Sequence, residues 1–390
     1  MSVSTSKTET AAVDQPATNG YNRADIDFSL RALELAAKGI GLVSPNPLVG
    51  CVIVSADGEV VGEGFYTYDG VTHAEVIALE QAGERARGGT AYVSLEPHSH
   101  QGKTAPCTDA LIDAGIKRVV APIEDPNPLV SGRGFQRLRD AGIEVTMGIL
   151  ADEAISLNEK FICWHKKRRP FVHLKLAMSL DGRISLHNSI STALTSKKAR
   201  KRVQDLRHEY DAILVGANTA VVDDPMLTDR SGKERRRPLV RVVLDDRLRV
   251  RSDSKLADTN IAPTIVFTKT SDKTCASELT SRGVDVIETE AGSRDLEAML
   301  HSLAEREIQS VLVEGGSQVA GAFVDAGLVD KITLIAAPLI IGGGEAPVAI
   351  GGRGAQTIAE ALRLQNVSVK QLGNDIEITG YPSQSGIDNV

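Results

Sequence analysis

Four residues near the start of the chain have the types and the spacing of a zinc deaminase site. A His-Ala-Glu run begins at His73, a Pro-His step ends at His98 and a Pro-Cys step ends at Cys107. A zinc deaminase needs three protein ligands, an activated water and a carboxylate that does not bind the metal. Glu75 is the candidate catalytic carboxylate, and His73, His98 and Cys107 are the candidate ligands. A cysteine is expected where His98 stands, so the pattern indicates either an unusual two-histidine, one-cysteine zinc site or a degraded one.

These residues are expected at the ends of helices in an α/β layer. The spacing of apolar residues predicts helices over residues 27–38, 73–82, 107–114 and 135–141, and strands over residues 49–54, 91–95 and 118–121. A helix that begins near His73 turns its imidazole toward the metal and places Glu75 within reach of the water. Cys107 falls in the first turn of a helix, where the positive dipole end favours a thiolate.

A second α/β unit is predicted after the basic stretch Lys166 to Arg169, which is interpreted as a solvated linker. Strands are expected over residues 171–177, 212–215, 239–244, 264–267 and 310–313, and a helix over residues 199–209. The unit has no G-x-G-x-x-G run after its first strand, so a Rossmann fold is not supported. Gly315 and Gly316 stand between a strand and a helix instead, where backbone N–H groups can approach a phosphate. A tight corner is the alternative explanation for such a glycine pair.

Length and composition limit the class of protein. A chain of 390 residues is long for one core. The predicted organisation is a disordered tail over residues 1–23, a first domain over 24–150, a linker over 151–170, a second domain over 171–382 and a tail over 383–390. A net charge of −7 argues against a non-specific grip on nucleic acid. No apolar run reaches the roughly 20 residues that span a bilayer, and four scattered cysteines favour the cytoplasm.

The first half resembles the deaminase half of the bifunctional riboflavin-biosynthesis deaminase–reductase family. The run EPHSHQGKTAPC from Glu96 to Cys107 has nearly the form of the family's deaminase motif, and SPNPLVG from Ser44 to Gly50 matches its substrate loop. The resemblance implies a cytidine-deaminase-like three-layer α/β domain that binds one zinc ion. It also implies that Asn46, His100 and Lys103 contact the base, ribose and phosphate of the substrate, and a lysine beside a glycine suits a phosphate.

The second half resembles the reductase domain of the same family, which has a dihydrofolate-reductase-like fold and uses NADPH. The runs LKLAMSLDGR (174–183), VGANT (215–219) and DDPMLTDR (223–230) carry this resemblance. Arginine is a natural bidentate phosphate clamp, and a carboxylate suits vicinal hydroxyls. The roles implied are ribose-phosphate and sugar contacts for Arg207, Asp224 and Arg230, a substrate-pocket position for Lys175, Thr195, Leu227 and Glu314, and a cofactor-binding position for Thr219, Gly315 and Gly316.

Three residues depart from the family pattern. His98 stands for a cysteine, Tyr66 for a substrate-contacting histidine and Ala193 for a tryptophan. The predicted function is zinc-dependent deamination of 2,5-diamino-6-(5-phosphoribosylamino)pyrimidin-4-one, followed by NADPH-dependent reduction of its ribosyl group to a ribityl group. A reductase with an inactive deaminase domain is one alternative. A paralogue in a specialised pathway to a pyrimidine-derived antibiotic or toxin is another.

Two further alternatives belong to other classes. A nucleic-acid base deaminase is disfavoured by the acidic balance and by the appended reductase half. A non-catalytic binding module would bind NADPH without turnover. The predicted partner is a small phosphorylated pyrimidine, with no nucleic acid and no membrane, and self-association is left open.

Overall fold

The protein consists of two α/β units, each with its own sheet. A computed structural model of the chain describes residues 21–68, 72–100, 105–187, 192–269 and 272–383. One sheet has five strands and the other has nine. Among the described residues, no helix is both long enough and apolar enough to cross a membrane.

The first unit is a helix–sheet–helix sandwich. Its elements are α1 (Arg23–Ala37), β1 (Gly50–Val54), β2 (Val60–Phe65), α2 (Ala74–Ala82), β3 (Thr90–Val93), α3 (Cys107–Asp113), β4 (Arg118–Ala121), α4 (Arg133–Asp140) and β5 (Glu144–Met147). The strand order is β2-β1-β3-β4-β5. Strand β1 is antiparallel to both of its neighbours, whereas β3, β4 and β5 are parallel.

Strand β1 explains why this unit has three layers. All five of its residues are buried. Cys51 and Ile53 join a core cluster that includes apolar residues of α2, α3 and α4, whereas Val52 and Val54 join a cluster that includes residues of α1. Since successive side chains of a strand point to opposite faces, an unbroken apolar run must be covered on both sides. The predicted three-layer arrangement is therefore confirmed.

Two glycines of β2 allow α2 to lie directly on the sheet. A Cβ atom at Gly62 would lie 1.9 Å from the backbone oxygen of Ala78, and one at Gly64 would lie 2.3 Å from that of Ala74. No side chain fits in that space. The close contact fixes the height of the α2 N-terminus, and therefore the position of His73, above the sheet.

The segment predicted as a linker is folded. It forms α5 (Ala151–Leu157) and α6 (Glu159–Lys167). Arg169 is buried and lies 2.6 Å from the carboxylate of Asp330, so the interpretation of its basic stretch as solvated is wrong at this residue. A buried guanidinium needs such a partner because desolvation penalises an isolated charge. The domain boundaries at residues 150 and 171 stay predictions.

The second unit is built on a mostly parallel sheet. Its elements are β6 (Phe171–Ser179), α7 (Lys197–Glu209), β7 (Ala212–Gly216), α8 (Ala217–Asp223), β8 (Val240–Leu244), β9 (Thr264–Thr268), α9 (Lys273–Ser281), β10 (Asp285–Glu288), α10 (Leu296–Glu305), β11 (Ser310–Val313), α11 (Ser317–Asp325), β12 (Lys331–Ala337), β13 (Leu364–Leu372) and β14 (Asp375–Pro382). The strand order is β10-β9-β8-β7-β11-β6-β12-β14-β13. The pairs β12–β14 and β14–β13 are antiparallel, and the other strand pairs of this sheet are parallel. Strands β7, β11 and β6 lie side by side, so their carboxyl ends meet at one edge.

Candidate active sites

The three candidate zinc ligands converge in the first unit. His73 immediately precedes α2, His98 lies on the loop after β3, and Cys107 is the first residue of α3. One ligand atom from each residue lies within 4.8 Å of the other two. A tetrahedral zinc site with bonds of about 2.0–2.3 Å places its ligand atoms roughly 3.3–3.8 Å apart. Small side-chain rotations are therefore enough to bring the three atoms to bonding distance.

His98 lies inside this cluster rather than on the outer surface. Its ring stacks on that of His73 with 4.4 Å between the centroids. Burial, followed by the neighbouring His73 and His100, lowers the pKa of His98 to about 4. The imidazole is therefore neutral at pH 7, which is the form that binds a metal ion.

Cys107 differs from the expectation that the helix dipole favours a thiolate. Burial and the nearby Glu75 carboxylate raise the pKa of the Cys107 thiol well above its ordinary value. The dipole of a short helix does not offset the loss of hydration in a closed site. A cation between the ligands is needed to stabilise the thiolate.

Glu75 lies beside the ligands, on the first turn of α2. It is buried, and its Oε2 atom has no hydrogen-bond partner among the described residues. A buried carboxylate oxygen without a partner is costly, so this position suits a group that donates a hydrogen bond. The donor set and this orphaned oxygen together fit a zinc ion with a water molecule beside Glu75.

A cavity of about 420 Å³ opens in front of the ligands. Asn46 and His100, both predicted to contact the substrate, line it, whereas Lys103 lies outside the described residues. The Asn46 Nδ2 atom donates to the Tyr66 hydroxyl at 2.6 Å. Lining residues that sequence reasoning missed are Asp125 and Asn127 after β4, Phe161, Trp164 and His165 of α6, and Glu307 of the second unit.

Glu96 holds the loop that brings Asp125 and Asn127 to the cavity. Its carboxylate accepts hydrogen bonds from the backbone N–H groups of Asp125, Gly132, Gly134 and Phe135 at 2.8–3.3 Å. Burial raises the pKa of Asp125 to about 6, although the hydrogen bond that its carboxylate accepts from the Asn127 backbone N–H acts to lower it. The Asp-Pro-Asn run that begins at Asp125, shortly after the strand predicted over residues 118–121, was the available signal, because functional side chains gather at the carboxyl ends of strands in α/β sheets.

We expect Glu96→Gln to destabilise the first unit. Loss of the carboxylate charge weakens the bonds to the start of α4, and charged acceptors contribute about 1.5–3 kcal/mol each. Urea unfolding should give a free energy lower by about 2 kcal/mol. Glu124→Gln, at an exposed glutamate of the same segment, is the matched control. Equal stability of the two variants would contradict this role.

The second unit contains a buried ion cluster at the junction of three elements. Glu314 follows β11 and accepts hydrogen bonds from Arg207 Nε of α7 at 2.8 Å and from Lys175 Nζ of β6 at 3.3 Å. Burial alone would raise the pKa of Glu314, but the charges of Lys175 and Arg207 outweigh it and lower the pKa to about 2. The carboxylate is therefore ionised at every pH at which the protein would be used.

This cluster lies at the wall of a second cavity, of about 700 Å³. Thr195 and Arg230 line it too, and Arg200 and Lys201 add positive charge. Asp224 and Leu227 are not among the lining residues. The Asp224 carboxylate accepts from the backbone N–H of Lys255 at 2.9 Å, and Leu227 is buried in the core. The structure does not bring these two residues to this cavity, and the substrate contacts predicted for them stay predictions.

A cleft of about 1070 Å³ lies along the neighbouring strand ends. Thr219 and Gly316, two of the predicted cofactor-binding residues, line it, whereas Gly315 is not among its lining residues. A Cβ atom at Gly315 would lie 2.7 Å from the Val319 side chain, so the close turn requires glycine. Arg247, Arg249 and Arg294, which sequence reasoning missed, line the cleft as well and suit the phosphates of a dinucleotide.

The two units of the chain match two different families of known protein domains. Residues 22–122 match the cytidine and deoxycytidylate deaminase zinc-binding region, and residues 170–378 match the RibD C-terminal domain. The riboflavin biosynthesis protein RibD of Aquifex aeolicus is 44% identical over 354 residues, which cover 91% of this chain and 97% of that protein. The chain belongs to the RibD family. The Escherichia coli RibD protein is 39% identical over 90% of this chain and 97% of its own length.

Solved RibD structures share the whole fold. The structure of Acinetobacter baumannii RibD, form 1, matches with a TM-score of 0.83 and 38% identity, covering 93% of this chain and 99% of that one. The diaminohydroxyphosphoribosylaminopyrimidine deaminase/5-amino-6-(5-phosphoribosylamino)uracil reductase of Thermotoga maritima matches with a TM-score of 0.81 and 39% identity, covering 92% and 99%. The RibD-family chain thus joins a zinc-binding deaminase domain to an NADPH-dependent pyrimidine reductase domain for riboflavin biosynthesis. The predicted fold class, enzyme class and cofactors are confirmed.

Proposed function

We propose that this RibD-family protein carries out both reactions on one phosphorylated pyrimidine. The first site removes the 2-amino group of 2,5-diamino-6-(5-phosphoribosylamino)pyrimidin-4-one, and the second reduces the ribosyl group to a ribityl group. The observation that carries the deaminase half is the convergence of His73, His98 and Cys107 beside the orphaned, buried oxygen of Glu75. Such a set has the three ligands and the separate carboxylate that hydrolytic deamination requires.

The deaminase residues divide into ligands, a proton carrier and substrate contacts. Zinc bound by the three ligands would supply an activated water for attack on the pyrimidine C2 atom. Glu75 takes a proton at its free Oε2 and returns it to the leaving nitrogen, so that a C–O bond forms, the C–N bond breaks and ammonia departs. The Asn46 amide and the Asp125 carboxyl line the cavity in front of the ligands and orient the ring.

The reductase residues hold the sugar phosphate and supply a proton. NADPH held in the neighbouring cleft by residues such as Thr219 and Gly316 would supply a hydride for C1′ of the ring-opened sugar. Arg230, together with Arg200 and Lys201, binds the phosphate at the cavity wall. The adjacent nitrogen must gain a proton as C1′ gains the hydride, and the Lys175 ammonium lies in the cavity as its donor. Glu314 holds that ammonium in place at 3.3 Å.

The experiment that tests the deaminase proposal compares the natural protein with His98→Cys and His98→Ala. We expect the natural protein to bind one zinc ion per chain and to release ammonia from the diaminopyrimidine phosphate. His98→Ala should lose at least about 100-fold in zinc affinity, because one of three ligands is absent. Reductase turnover of the deaminated compound is the internal control in each preparation.

The proposal would be contradicted if His98→Cys restored zinc binding and ammonia release to the first domain. If that variant gains zinc and ammonia release that the natural protein lacks, the first domain is inactive in nature. The alternative of a specialised substrate predicts a different result, in which the natural protein binds zinc but does not turn over this compound. Tyr66 is the residue to exchange in that case, because its hydroxyl accepts the hydrogen bond of the Asn46 amide, which is predicted to contact the substrate.

The proposed function also implies a binding partner and a cellular compartment. A small phosphorylated pyrimidine is the expected partner, and neither nucleic acid nor a lipid surface is required for the chemistry. The four cysteines are free thiols, as expected in a reducing cytoplasm. Whether the protein forms a homo-oligomer is tested by light scattering of the purified chain.

A further inference from the structure

The mouth of the deaminase cavity is held from outside the deaminase unit. The loop over residues 39–48, here called the mouth loop, carries Asn46 into the cavity. The Asn158 side chain, between α5 and α6, accepts from the Leu48 N–H at 2.8 Å and donates to the Leu48 carbonyl at 3.0 Å. Within the deaminase unit, Asn46 of this loop donates to the Tyr66 hydroxyl, and further polar contacts to the loop come from the reductase unit.

Arg236 of the reductase unit makes three contacts at the mouth. Its guanidinium donates to the carbonyl oxygen of Ser44, two residues before Asn46. The same guanidinium stacks over the ring of Tyr68, with 3.7 Å between Cζ and the ring centroid. Its backbone N–H donates to the carbonyl of Gly41 at 2.9 Å. One residue therefore ties together the two chain segments that lead to Asn46 and toward His73.

Neighbouring residues of the reductase unit support this contact. Arg237 donates to the Ser44 hydroxyl at 3.1 Å and to the carbonyl of Glu307 at 3.0 Å. His208 reaches the carbonyl of Ile40 at 3.3 Å. A Cβ atom at Gly41 would lie 2.6 Å from the His208 ring, so the two units meet in close contact there.

We infer that Arg236 is a positioning residue for deamination, supplied by the reductase domain. It fixes the Ser44 carbonyl and the Tyr68 ring, and thereby keeps the Asn46 amide directed into the cavity where the pyrimidine binds. This inference rests on the proposed deaminase function. It assigns Arg236 to substrate binding and not to the chemical step, since no described contact joins it to the ligands or to Glu75.

Arg236→Ala should raise the deaminase KM about tenfold and change kcat less than threefold, because a charge-assisted hydrogen bond and a cation–π contact are lost. Arg236→Lys keeps the charge and one donor, and should raise KM about threefold. Reductase kcat and KM should be unchanged in both variants. A merely structural defect would lower both activities together and would not be rescued by lysine.

A binding measurement tests the inference even if ammonia release is absent. Trp164 is the chain's single tryptophan and lines the deaminase cavity, so its fluorescence reports ligand entry there. Titration with the diaminopyrimidine ribosylamino phosphate should give a dissociation constant about tenfold weaker in Arg236→Ala than in the natural protein. Lys167→Ala is the matched control. It removes a contact between α6 and Asp330 of the reductase unit, away from the mouth loop, and should bind the compound normally.

The outcomes separate the two proposals. Equal dissociation constants for the natural protein and Arg236→Ala would overturn the positioning role, whatever the activity. A tenfold shift without ammonia release in any preparation would support the positioning role and refute the deaminase function. A shift as large in Lys167→Ala as in Arg236→Ala would overturn the inference, because any interface contact would then suffice.

Discussion

Glu75→Gln should lower ammonia release at least about 10³-fold while zinc stays bound, since positioned proton transfer contributes typically 10²–10⁴-fold. Glutamine keeps the size of the side chain but cannot take up the proton that the free Oε2 atom of Glu75 accepts. The measurement is the deaminase kcat, together with zinc per chain by metal analysis. Reductase turnover should be unchanged because its cavity is built from the other unit.

Glu80→Gln is the matched control for this prediction, since Glu80 is an exposed glutamate on the same helix. It should leave both activities intact. Loss of zinc from Glu75→Gln would contradict the role, because Glu75 would then act as a ligand or as a structural support. Retention of more than a tenth of the natural rate would also contradict it, and another proton carrier would have to be sought in the cavity.

Glu314→Gln should disable the reductase and destabilise its domain. The change leaves the Lys175 ammonium and the Arg207 guanidinium buried without their carboxylate. Breaking a buried ion pair from one side typically costs about 3–5 kcal/mol. We expect the free energy of unfolding to fall by about that amount in urea, and the reductase kcat/KM to fall about 100-fold or more because Lys175 loses its support. Glu305→Gln, at an exposed glutamate of α10, should change neither quantity.

The difference in unfolding free energy between the natural protein and Glu314→Gln should depend on pH with a defined sign. The pKa of Glu314 is lowered from 4.5 to about 2 by Lys175 and Arg207, against the effect of burial. A carboxylate with a depressed pKa stabilises the folded state above its unfolded pKa and loses that contribution as pH falls. The stability gap between the natural protein and Glu314→Gln should therefore be constant above pH 5 and shrink from about pH 4.5 toward pH 2. A gap that widened in acid would contradict the ionised state of Glu314.

The sequence was sufficient for elements whose residues are buried in a regular pattern. The strands predicted over residues 118–121 and 310–313 have those bounds in the structure, and the apolar run that became β1 was recognised as a buried strand. Strand β13 gave no such signal because nearly all of its residues are exposed. Strand β2 was missed because its glycines, which α2 requires for close packing, lower the apparent strand propensity.

The sequence was also sufficient for the positions of some functional side chains and insufficient for others. Asp224 and Leu227 belong to the same run as Arg230, yet only Arg230 faces the substrate cavity. A left-handed backbone at Asp224, with φ of 37°, turns its carboxylate toward Lys255 instead. Spacing along a loop does not determine such directions, because each depends on the local φ and ψ angles.

The sequence by itself predicted the zinc ligand set and the separate carboxylate, because these depend on residue types at short spacing, and its resemblance to the riboflavin deaminase–reductase family implied the pairing of a deaminase with a reductase. Only the tertiary structure decided that His98 is neutral and stacked on His73, and that Asp125 and Trp164 line the same cavity. It alone brought Arg236 to Ser44, across 192 positions of the chain. Contacts of that separation are set by how two folded units pack, and no local pattern of residues records them.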